Sequence, residues 1–401
     1  MRCKFFFRFL LMILFVYLSF LGLSGCSVIV NNLPEMPDMP DMPDMPDMPK
    51  ISMPFFKNSE KSPEPEIKYE QIIFQHIKGK NAEILSDTIN KFANKSPANY
   101  AVFDADDTIW RYNLEQALLP YLESKKAVKK EEMSSYLKIL PFNKNDSLYS
   151  YYKRLCEYDK TIASQWLAQI FSYIRLHRLK TFVDEIFTLE KPIPVKYYIG
   201  KRLIKSKVNP PKIYPAQREI INILVSKGID VYIVTESLEE LIRMVVSDPK
   251  YGFGIPPDRV IGLNLILKYS NKDIPTTSRM QITKGHFFDD EYTKKEHYKK
   301  LAKPYLASPI TINAGKVAAI MEYINPIKKP VIVAGDSPCD LHMLFYSDVQ
   351  NGGIRFWINH NEDFLMKNEK IKKERALLEL KNGVKQNADK GWIYCFPEDI
   401  Q

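Results

Sequence analysis

Three short apolar segments, each followed at once by polar residues, constrain the fold of this chain more than any other feature. They are residues 99–104 (NYAVFD), 229–235 (IDVYIVT) and 330–334 (PVIVA), and residues 354–358 (IRFWI) predict a fourth. Each segment is short and rich in β-branched and aromatic residues. Continuous apolar runs of this length are typical of strands that are buried on both faces of a sheet.

Amphipathic, helix-like segments adjoin these predicted strands. Residues 215–227 precede the second strand and 238–246 follow it, while residues 316–323 precede the third strand and 340–345 follow it. Strands that alternate with helices predict right-handed crossover units and a parallel sheet. We therefore predict an α/β fold with a Rossmann-like, doubly wound parallel sheet, in which ligands bind beyond the carboxyl ends of the strands.

The long gap between the first two predicted strands indicates a second domain. It contains many helix formers and aromatic residues, and no convincing strand-like alternation. We predict a helical cap over residues 109–212, inserted after the first strand between two parts of the core, 67–108 and 213–401. Residues 265–308 are polar and charged, and no structure is assigned to them. The final stretch is predicted to be largely helical, with an apolar end at residues 392–396 that docks back on the domain.

The first residues of the chain predict export. A basic start that includes Arg2 and Lys4 precedes an apolar run over residues 10–21, and small residues come just before Cys26. This order predicts a secretory signal peptide over residues 1–25. Its last part resembles the bacterial lipobox, which implies cleavage before Cys26 and attachment of lipid, including palmitate. An uncleaved membrane anchor is the alternative, and both place the domain outside the cytoplasm, at the periplasmic face of a bacterial membrane or at the cell surface.

Residues 26–66 predict a tether. A Met-Pro-Asp unit repeats from Met36 to Asp47, so that proline recurs every third residue. This period matches the three-residue turn of polyproline II and predicts a semi-rigid spacer. The carboxylates of such a segment are strung out rather than convergent, which disfavours a metal site.

Charge and cysteine usage exclude two classes of protein. The formal net charge of +9 at pH 7 is spread along the chain, with no basic helix that has interleaved aromatic residues, so no nucleic-acid partner is expected. Of the five cysteines, Cys3 lies in the signal peptide and Cys26 takes lipid. Cys156, Cys339 and Cys395 follow neither a disulfide framework nor a zinc pattern. They are predicted to be small buried apolar residues, with one bridge as the alternative.

The first strand is followed by paired carboxylates. The sequence there is Asp104-Ala-Asp106-Asp107-Thr. In an extended chain, residues i and i+2 point to the same side, so Asp104 and Asp106 are expected to face one ligand. Two such carboxylates repel each other when both are ionised and favour a cation or a shared proton. Mg²⁺ prefers oxygen ligands of this kind.

Polar residues also follow the second strand. Thr235 offers a hydroxyl group at the strand end, although a strand often ends at such a residue for no functional reason. Ser237 and Glu240 fit a capping box that begins a helix. Helix N-termini attract phosphate oxygens, so this turn is a candidate phosphate site.

The third strand has polar residues on both sides. Lys316 begins the predicted helix before it, and Gly335-Asp336-Ser337-Pro-Cys-Asp340 follows it. Asp336 is placed to complete a metal site. Ser337 and Asp340 themselves fit a capping box, so the role of Asp340 is structural or supporting.

The order of these groups is more specific than any one of them. Asp-x-Asp-x-Thr, then Thr, then Lys, then Gly-Asp-Ser-x-x-Asp resembles the four motifs of the haloacid dehalogenase superfamily, most closely its phosphoserine phosphatase-like branch. The resemblance covers residues 100–360 and includes a cap inserted after the first motif. Dehalogenases of the superfamily lack the second Asp of the first motif, so Asp106 favours a phosphatase.

The resemblance implies a role for each motif residue. Asp104 would attack phosphorus and form an aspartyl-phosphate, and Asp106 would act as general acid and base. Mg²⁺ would be held by the Asp104 carboxylate, the Asp106 backbone carbonyl and Asp336. Thr235 and Lys316 would bind the phosphoryl oxygens.

One residue departs from the family pattern. Asp107 stands where these enzymes often have Gly or Asn. It adds a negative charge near the site and is a candidate supporting residue, together with Ser337 and Asp340. It removes no required group.

The substrate is less constrained than the reaction. Residues 108–110, 251–262 and 313–320 resemble exported phosphorylcholine phosphatases. Aromatic faces recognise quaternary ammonium groups, so Trp110 is a candidate substrate-pocket residue, with an ordinary core aromatic as the alternative. We expect a Mg²⁺-dependent phosphomonoesterase that acts on small phosphate esters, with phosphocholine or phosphoethanolamine favoured. A broad acid phosphatase or phosphotransferase, or a non-catalytic surface-binding lipoprotein on the same fold, remains the alternative.

Overall fold

The computed structural model describes residues 71–269, 272–283, 301–307 and 310–401. The predicted signal peptide, lipidated cysteine and tether lie outside the described residues. Residues Ile67–Gln401 form one compact unit. No helix in its described part is both long and apolar enough to cross a membrane.

The described residues form twelve strands and eleven α-helices. The strands are β1 (Tyr100–Phe103), β2 (Trp110–Arg111), β3 (Ile193–Ile199), β4 (Arg202–Val208), β5 (Lys212–Ile213), β6 (Asp230–Leu238), β7 (Val260–Tyr269), β8 (Lys272–Thr276), β9 (Leu301–Ala307), β10 (Ile332–Gly335), β11 (Ile354–Ile358) and β12 (Trp392–Cys395). The helices are α1 (Gly79–Phe92), α2 (Leu114–Ser124), α3 (Leu148–Tyr158), α4 (Lys160–Ile170), α5 (Leu176–Phe187), α6 (Pro215–Ser226), α7 (Glu239–Val246), α8 (Ser278–Thr283), α9 (Gly315–Tyr323), α10 (Leu341–Tyr346) and α11 (Glu362–Lys381).

The central sheet has the strand order β12-β11-β10-β1-β6-β7-β8, and β9 also pairs with β7. The strands from β12 to β7 are parallel to their neighbours. Strands β8 and β9 run antiparallel to β7. The predicted α/β fold with a mostly parallel sheet is therefore confirmed. Part of the unassigned stretch 265–308 supplies the antiparallel edge, and the apolar end of the chain docks back as the parallel edge strand β12.

Strand β1 shows why its sequence is apolar throughout. All four of its residues are buried. Ala101 and Phe103 pack into the hydrophobic core on one face of the sheet, while Tyr100 and Val102 pack into a second core on the other face. A strand covered on both faces needs an apolar side chain at every position.

The insertion after β1 contains helices α2 to α5 and a two-stranded hairpin, β3–β4. Its two ends pair with each other, since Trp110 and Arg111 of β2 lie opposite Ile213 and Lys212 of β5. The sequence analysis predicted no strand here. Only Ile193 and Val195 of β3 are buried, and the outward positions are mostly lysines, so the alternating signal of the hairpin is weak.

Helix α5 fastens the cap to the core. The Tyr251 hydroxyl group donates a hydrogen bond of 2.6 Å to Asp184, and Lys180 lies 2.5 Å from Asp184 and 2.7 Å from Asp248. The Phe187 ring packs against the ring of Tyr251. These contacts hold the cap against the loop that follows α7.

Candidate active site

A cavity of about 710 Å³ lies where the parallel strands end and the cap begins. Core residues that follow β1 and β10, together with residues of the last part of β6, line one side, and residues of α3 and α4 line the other. The sequence-predicted residues on its wall are Asp104, Asp106, Asp107, Thr235, Asp336 and Ser337. Tertiary structure thus brings together motifs that are far apart in the chain.

Asp104 follows β1 and forms an ion pair with Lys316. The Lys316 Nζ atom lies 2.9 Å from Asp104 Oδ1 and 2.6 Å from Asp340 Oδ1, and the lysine side chain has no exposed area. Burial by itself lowers the pKa of Lys316, but Asp104 and Asp340 raise it above its ordinary value. The lysine therefore stays charged. Gly315 permits its position, because a Cβ atom there would lie 1.8 Å from the carbonyl oxygen of Ile310.

Asp340 has the two structural roles that its sequence context allowed. One carboxylate oxygen accepts hydrogen bonds from the backbone N–H groups of Asp336 (3.1 Å) and Ser337 (3.0 Å), which confirms the capping box. The other oxygen pairs with Lys316. A side chain at Gly335 would clash here, since its Cβ atom would lie 2.6 Å from Asp340 Cβ. Asp340 thus positions both the lysine and the loop that carries Asp336.

Asp106 is held by hydrogen bonds to both carboxylate oxygens. The donors are Trp110 Nε1 at 2.8 Å, Leu114 N at 2.8 Å, Asn113 Nδ2 at 3.0 Å and Ser237 Oγ at 2.6 Å. Burial raises the pKa of Asp106 above its ordinary value, although these donors oppose the shift. A carboxyl group that is fixed in place with a raised pKa suits proton transfer.

The structure corrects the interpretation of Trp110 as a substrate-pocket residue. Its side chain has no exposed area, and it does not contribute to the wall of the cavity. The indole N–H group donates to Asp106, and the ring packs against Phe187 and Phe253. Trp110 therefore positions the carboxyl group of Asp106 from beneath the cavity.

The predicted capping box of Ser237 and Glu240 is also wrong. Strand β6 continues to Leu238, and α7 begins at Glu239 without a side-chain cap. The Ser237 hydroxyl group donates to Asp106, and Glu240 pairs with Arg243 at 2.9 Å. Thr235 Oγ1 accepts a 3.2 Å hydrogen bond from the Ser237 backbone. This leaves the hydroxyl proton of Thr235 available to a ligand in the cavity.

The carboxylates of the site outnumber its cations. Asp104, Asp336 and Asp340 each offer an oxygen within 4.8 Å of the others, and Lys316 is the cation that contacts two of them. Asp336 Oδ1 accepts a 3.1 Å hydrogen bond from Thr108, and no ion pair within the described residues includes Asp336. Burial and the neighbouring carboxylates raise the pKa of Asp336 well above its ordinary value.

This donor set fits a divalent cation. Asp104 and Asp336 point oxygen atoms at one place, and oxygen is the ligand that Mg²⁺ prefers. Asp340 is already bound by backbone N–H groups and by Lys316, so it is better suited to support than to ligation.

The sequence analysis did not identify three residues that line the cavity or contact a residue of its wall. His360 Nε2 lies 2.6 Å from the backbone oxygen of Asp107, a residue held at φ 58°. Glu236 and Cys339 line the cavity. The position of Glu236, directly after Thr235 near the predicted end of the strand, was the one available signal. The cysteines at 156, 339 and 395 are all free, so the alternative of a disulfide between them is not realised.

Comparisons with known proteins agree with this geometry. The chain is 40% identical over 314 residues to the phosphorylcholine phosphatase of Pseudomonas aeruginosa PAO1. The aligned residues cover 77% of this chain and 88% of that protein. Among solved structures, a functionally unknown protein from Anaerococcus prevotii superposes with a TM-score of 0.50 at 18% identity, covering 75% of this chain and 92% of its own. A phosphoserine phosphohydrolase-like protein from Francisella tularensis gives a TM-score of 0.34 at 15% identity, covering 72% and 100%. No profile of a known protein family matches the chain.

The similarity to a phosphatase extends over most of both chains. A phosphoric monoester hydrolase therefore replaces the non-catalytic alternative. The chain belongs to the phosphorylcholine phosphatase family, within the haloacid dehalogenase superfamily of phosphatases.

Proposed function

We propose that the protein is a Mg²⁺-dependent phosphomonoesterase that acts through an aspartyl-phosphate and prefers phosphocholine or phosphoethanolamine. The observation that carries the reaction is the convergence of Asp104, Lys316 and Asp336 beside the hydrogen-bonded carboxyl group of Asp106. One ammonium group does not balance the carboxylates, so the site supports a divalent cation together with an anionic substrate.

In the first half of the reaction, a carboxylate oxygen of Asp104 attacks phosphorus. The oxygen–phosphorus bond to Asp104 forms as the bond from phosphorus to the leaving alcohol breaks. Asp106 gives its proton to the leaving oxygen, which its raised pKa favours. In the second half, Asp106 accepts a proton from the water that attacks phosphorus, and this step releases phosphate and restores Asp104.

The remaining residues stabilise charge. Lys316 offsets the charge of Asp104 and is placed to contact a phosphoryl oxygen, and Thr235 is placed to donate to another. A Mg²⁺ ion held by Asp104 and Asp336 would supply further compensation for the phosphoryl charge.

The substrate preference rests on an acidic wall beside the reacting groups. Glu236 lines the cavity, and Glu115 is buried beneath it. Burial raises the pKa of both glutamates and the charge of Asp106 adds to this effect, while Lys316 opposes it at Glu236. Within the described residues, no ion pair includes either of them. Tyr152 lies on the same wall, and its pKa is raised by burial, by Cys156 and by these two glutamates. An aromatic face beside carboxylates is suited to a substituted ammonium group.

A charge-removal variant tests this preference. Glu236→Gln is expected to raise KM for phosphocholine about tenfold, because a partly buried charge contact contributes about 1.4 kcal/mol, while KM for p-nitrophenyl phosphate stays nearly unchanged. Glu157→Gln, at an exposed position of α3, is the matched control. Equal effects of Glu236→Gln on the two substrates would reject the ammonium subsite without touching the phosphatase proposal.

The reaction itself is tested by phosphate release from a panel of esters, with and without Mg²⁺. The panel contains phosphocholine, phosphoethanolamine, phosphoserine, sugar phosphates and nucleotides. Release that requires Mg²⁺ and ranks phosphocholine or phosphoethanolamine first is expected. A broad ranking, or transfer of phosphate to an added alcohol, would instead favour an acid phosphatase or a phosphotransferase.

We also propose that the enzyme is exported and lipid-anchored at Cys26 to a bacterial membrane. The basic start, apolar run and small residues before this cysteine support the proposal. Metabolic labelling with palmitate is expected to mark the wild-type chain and not the Cys26→Ala variant. Labelling of both chains would exclude this attachment site.

A further inference from the structure

The hairpin β3–β4 of the cap carries a single sign of charge. Its cationic residues are Lys196, Lys201, Arg202, Lys205 and Lys207. The chain contains no Asp or Glu between residues 191 and 218. Among the ion pairs of the described residues, none includes a cation of this hairpin. Its charge is therefore not neutralised by ion pairs with the described part of the domain.

The strand register places Lys196, Lys205 and Lys207 together on the outer face, while Lys201 lies in the turn and Arg202 lies beside it at the tip, opposite Ile199. Lys196 lies directly opposite Lys205, and Lys207 lies opposite Pro194 on the same face. The other face packs against α3, where the Tyr197 ring contacts the Tyr149 ring at a centroid distance of 6.2 Å. Like charges directly opposite each other destabilise a strand pair, so this arrangement does not serve the stability of the hairpin.

The tip of the hairpin adds exposed apolar side chains. Ile199 is 52% exposed and Leu203 is 44% exposed, and they flank Lys201 and Arg202. Aliphatic side chains among cations are typical of surfaces that bind at the boundary between lipid head groups and acyl chains. A soluble acidic partner would need the cations alone, whereas a lipid surface uses both features.

We propose that the hairpin 193–208 docks onto an anionic phospholipid surface. The lysine and arginine side chains contact head-group phosphates, and Ile199 and Leu203 enter the head-group boundary. The proposal depends neither on the catalytic activity nor on the N-terminal lipid. In a chain that is also anchored at Cys26, the hairpin would be a second attachment to the membrane, and two weak attachments hold a protein far better than one.

Vesicle sedimentation tests the proposal. The protein used is a fragment that begins at Ser59, because residues Ile67–Gln401 form one compact unit that encloses its own hydrophobic core. This fragment lacks Cys26, so an attached lipid cannot contribute. We expect it to sediment with vesicles that contain about one third phosphatidylglycerol and not with pure phosphatidylcholine vesicles. Binding should weaken as salt screens the charges.

The decisive variant combines Lys201→Ser, Arg202→Ser and Lys205→Ser. Each cation near an anionic surface strengthens binding about fivefold, so the triple variant should bind about a hundredfold more weakly. A control with Lys373→Ser, Lys381→Ser and Lys385→Ser removes the same charge from exposed positions at the other end of the chain and should bind like the wild type. Both variants should retain hydrolysis of p-nitrophenyl phosphate in solution, which shows that they fold.

A second variant isolates the apolar contribution. Ile199→Ser with Leu203→Ser keeps the charge and should still weaken vesicle binding severalfold. Equal vesicle binding by the wild type and the triple hairpin variant would overturn the proposal. So would retention of the wild type on dextran sulfate without vesicle binding, which would assign the hairpin to a soluble acidic polymer.

Discussion

Two buried clusters of charged side chains lie at the ends of neighbouring strands. One has more carboxylates than cations, and in the other a carboxylate is surrounded by cations. In the first, Asp104, Asp336 and Asp340 share Lys316. In the second, the single carboxylate of Glu239 contacts two guanidinium groups, those of Arg243 and Arg279, at 3.0 and 3.1 Å.

The protonation behaviour of the two clusters follows from this balance. Burial and neighbouring carboxylates raise the pKa of Asp336. Burial alone would also raise the pKa of Glu239, but Arg279 and Arg243 hold it below its ordinary value. Asp336 is 7% exposed and Glu239 is fully buried, so burial does not distinguish the clusters. A carboxylate that has its own counter-charge stabilises the fold. A group of carboxylates without enough counter-charge is expected to bind a ligand.

The largest expected effect concerns the uncompensated cluster. Asp104→Asn should reduce turnover at least about ten-thousandfold, because it removes the nucleophile, as nucleophile removal does in other covalent enzymes. The fold should remain intact, since Lys316 keeps Asp340 as a partner. Phosphate release and circular dichroism would measure the two properties. Retained Mg²⁺-dependent hydrolysis would show that Asp104 is not the nucleophile.

The balanced cluster should instead affect stability. Glu239→Gln should lower the free energy of unfolding by about 2 kcal/mol, because it removes the buried carboxylate that Arg243 and Arg279 share, while Arg243 keeps Glu240 as its other partner. Asp336→Asn is the matched variant and should cost little in the absence of metal, since no ion pair of the described residues includes Asp336. Urea denaturation of both variants measures the contrast. A larger loss for Asp336→Asn would break the comparison.

Added Mg²⁺ should distinguish the clusters next. At a concentration about a hundredfold above its dissociation constant, the ion should raise the free energy of unfolding by about 2.7 kcal/mol. Asp336→Asn should abolish this gain, while Glu239→Gln should keep it. Thermal unfolding with Mg²⁺ or with a chelator provides the measurement. A gain that survives Asp336→Asn would place the ion elsewhere.

The Trp110 contact should have a smaller effect on catalysis. Trp110→Phe removes the hydrogen bond to the Asp106 carboxylate and should lower kcat about tenfold. The loss should be equal for phosphocholine and p-nitrophenyl phosphate, because the indole does not line the cavity. A selective rise in KM for phosphocholine would restore the pocket role that the sequence analysis gave it.

The smallest effect concerns pH. The folded-state pKa of Glu239 lies below its ordinary value of 4.5, so the carboxylate stabilises the fold above about that pH. This contribution should be lost as the pH falls from 4.5 through the folded-state pKa. The free energy of unfolding should be measured from about pH 6 to about pH 3. It should fall less steeply for Glu239→Gln than for the wild type, by about 1 kcal/mol over this range. Parallel curves would show that Glu239 titrates normally.

The sequence predicted most of the core sheet and several of the polar residues that line the cavity. Buried strands such as β1 need apolar side chains at every position, and this makes them visible without a structure. Asp104, Asp106 and Asp336 were also visible, because each follows a predicted strand and strand ends are where such sheets bind ligands. The hairpin β3–β4 was missed, since its outward lysines hide the alternation of a two-stranded sheet.

The sequence by itself thus determined the sheet, the order of the motifs and the chemistry available at the strand ends, because these depend on local patterns. Only the tertiary structure decided the partner of each group. The hydroxyl group of Ser237 donates to Asp106 instead of capping a helix, and the indole of Trp110 supports Asp106 instead of facing a substrate. Glu236 and Glu239 lie three residues apart, yet one faces the cavity and the other faces two arginines. Such differences depend on which distant segments pack nearby, and that contact information is not local.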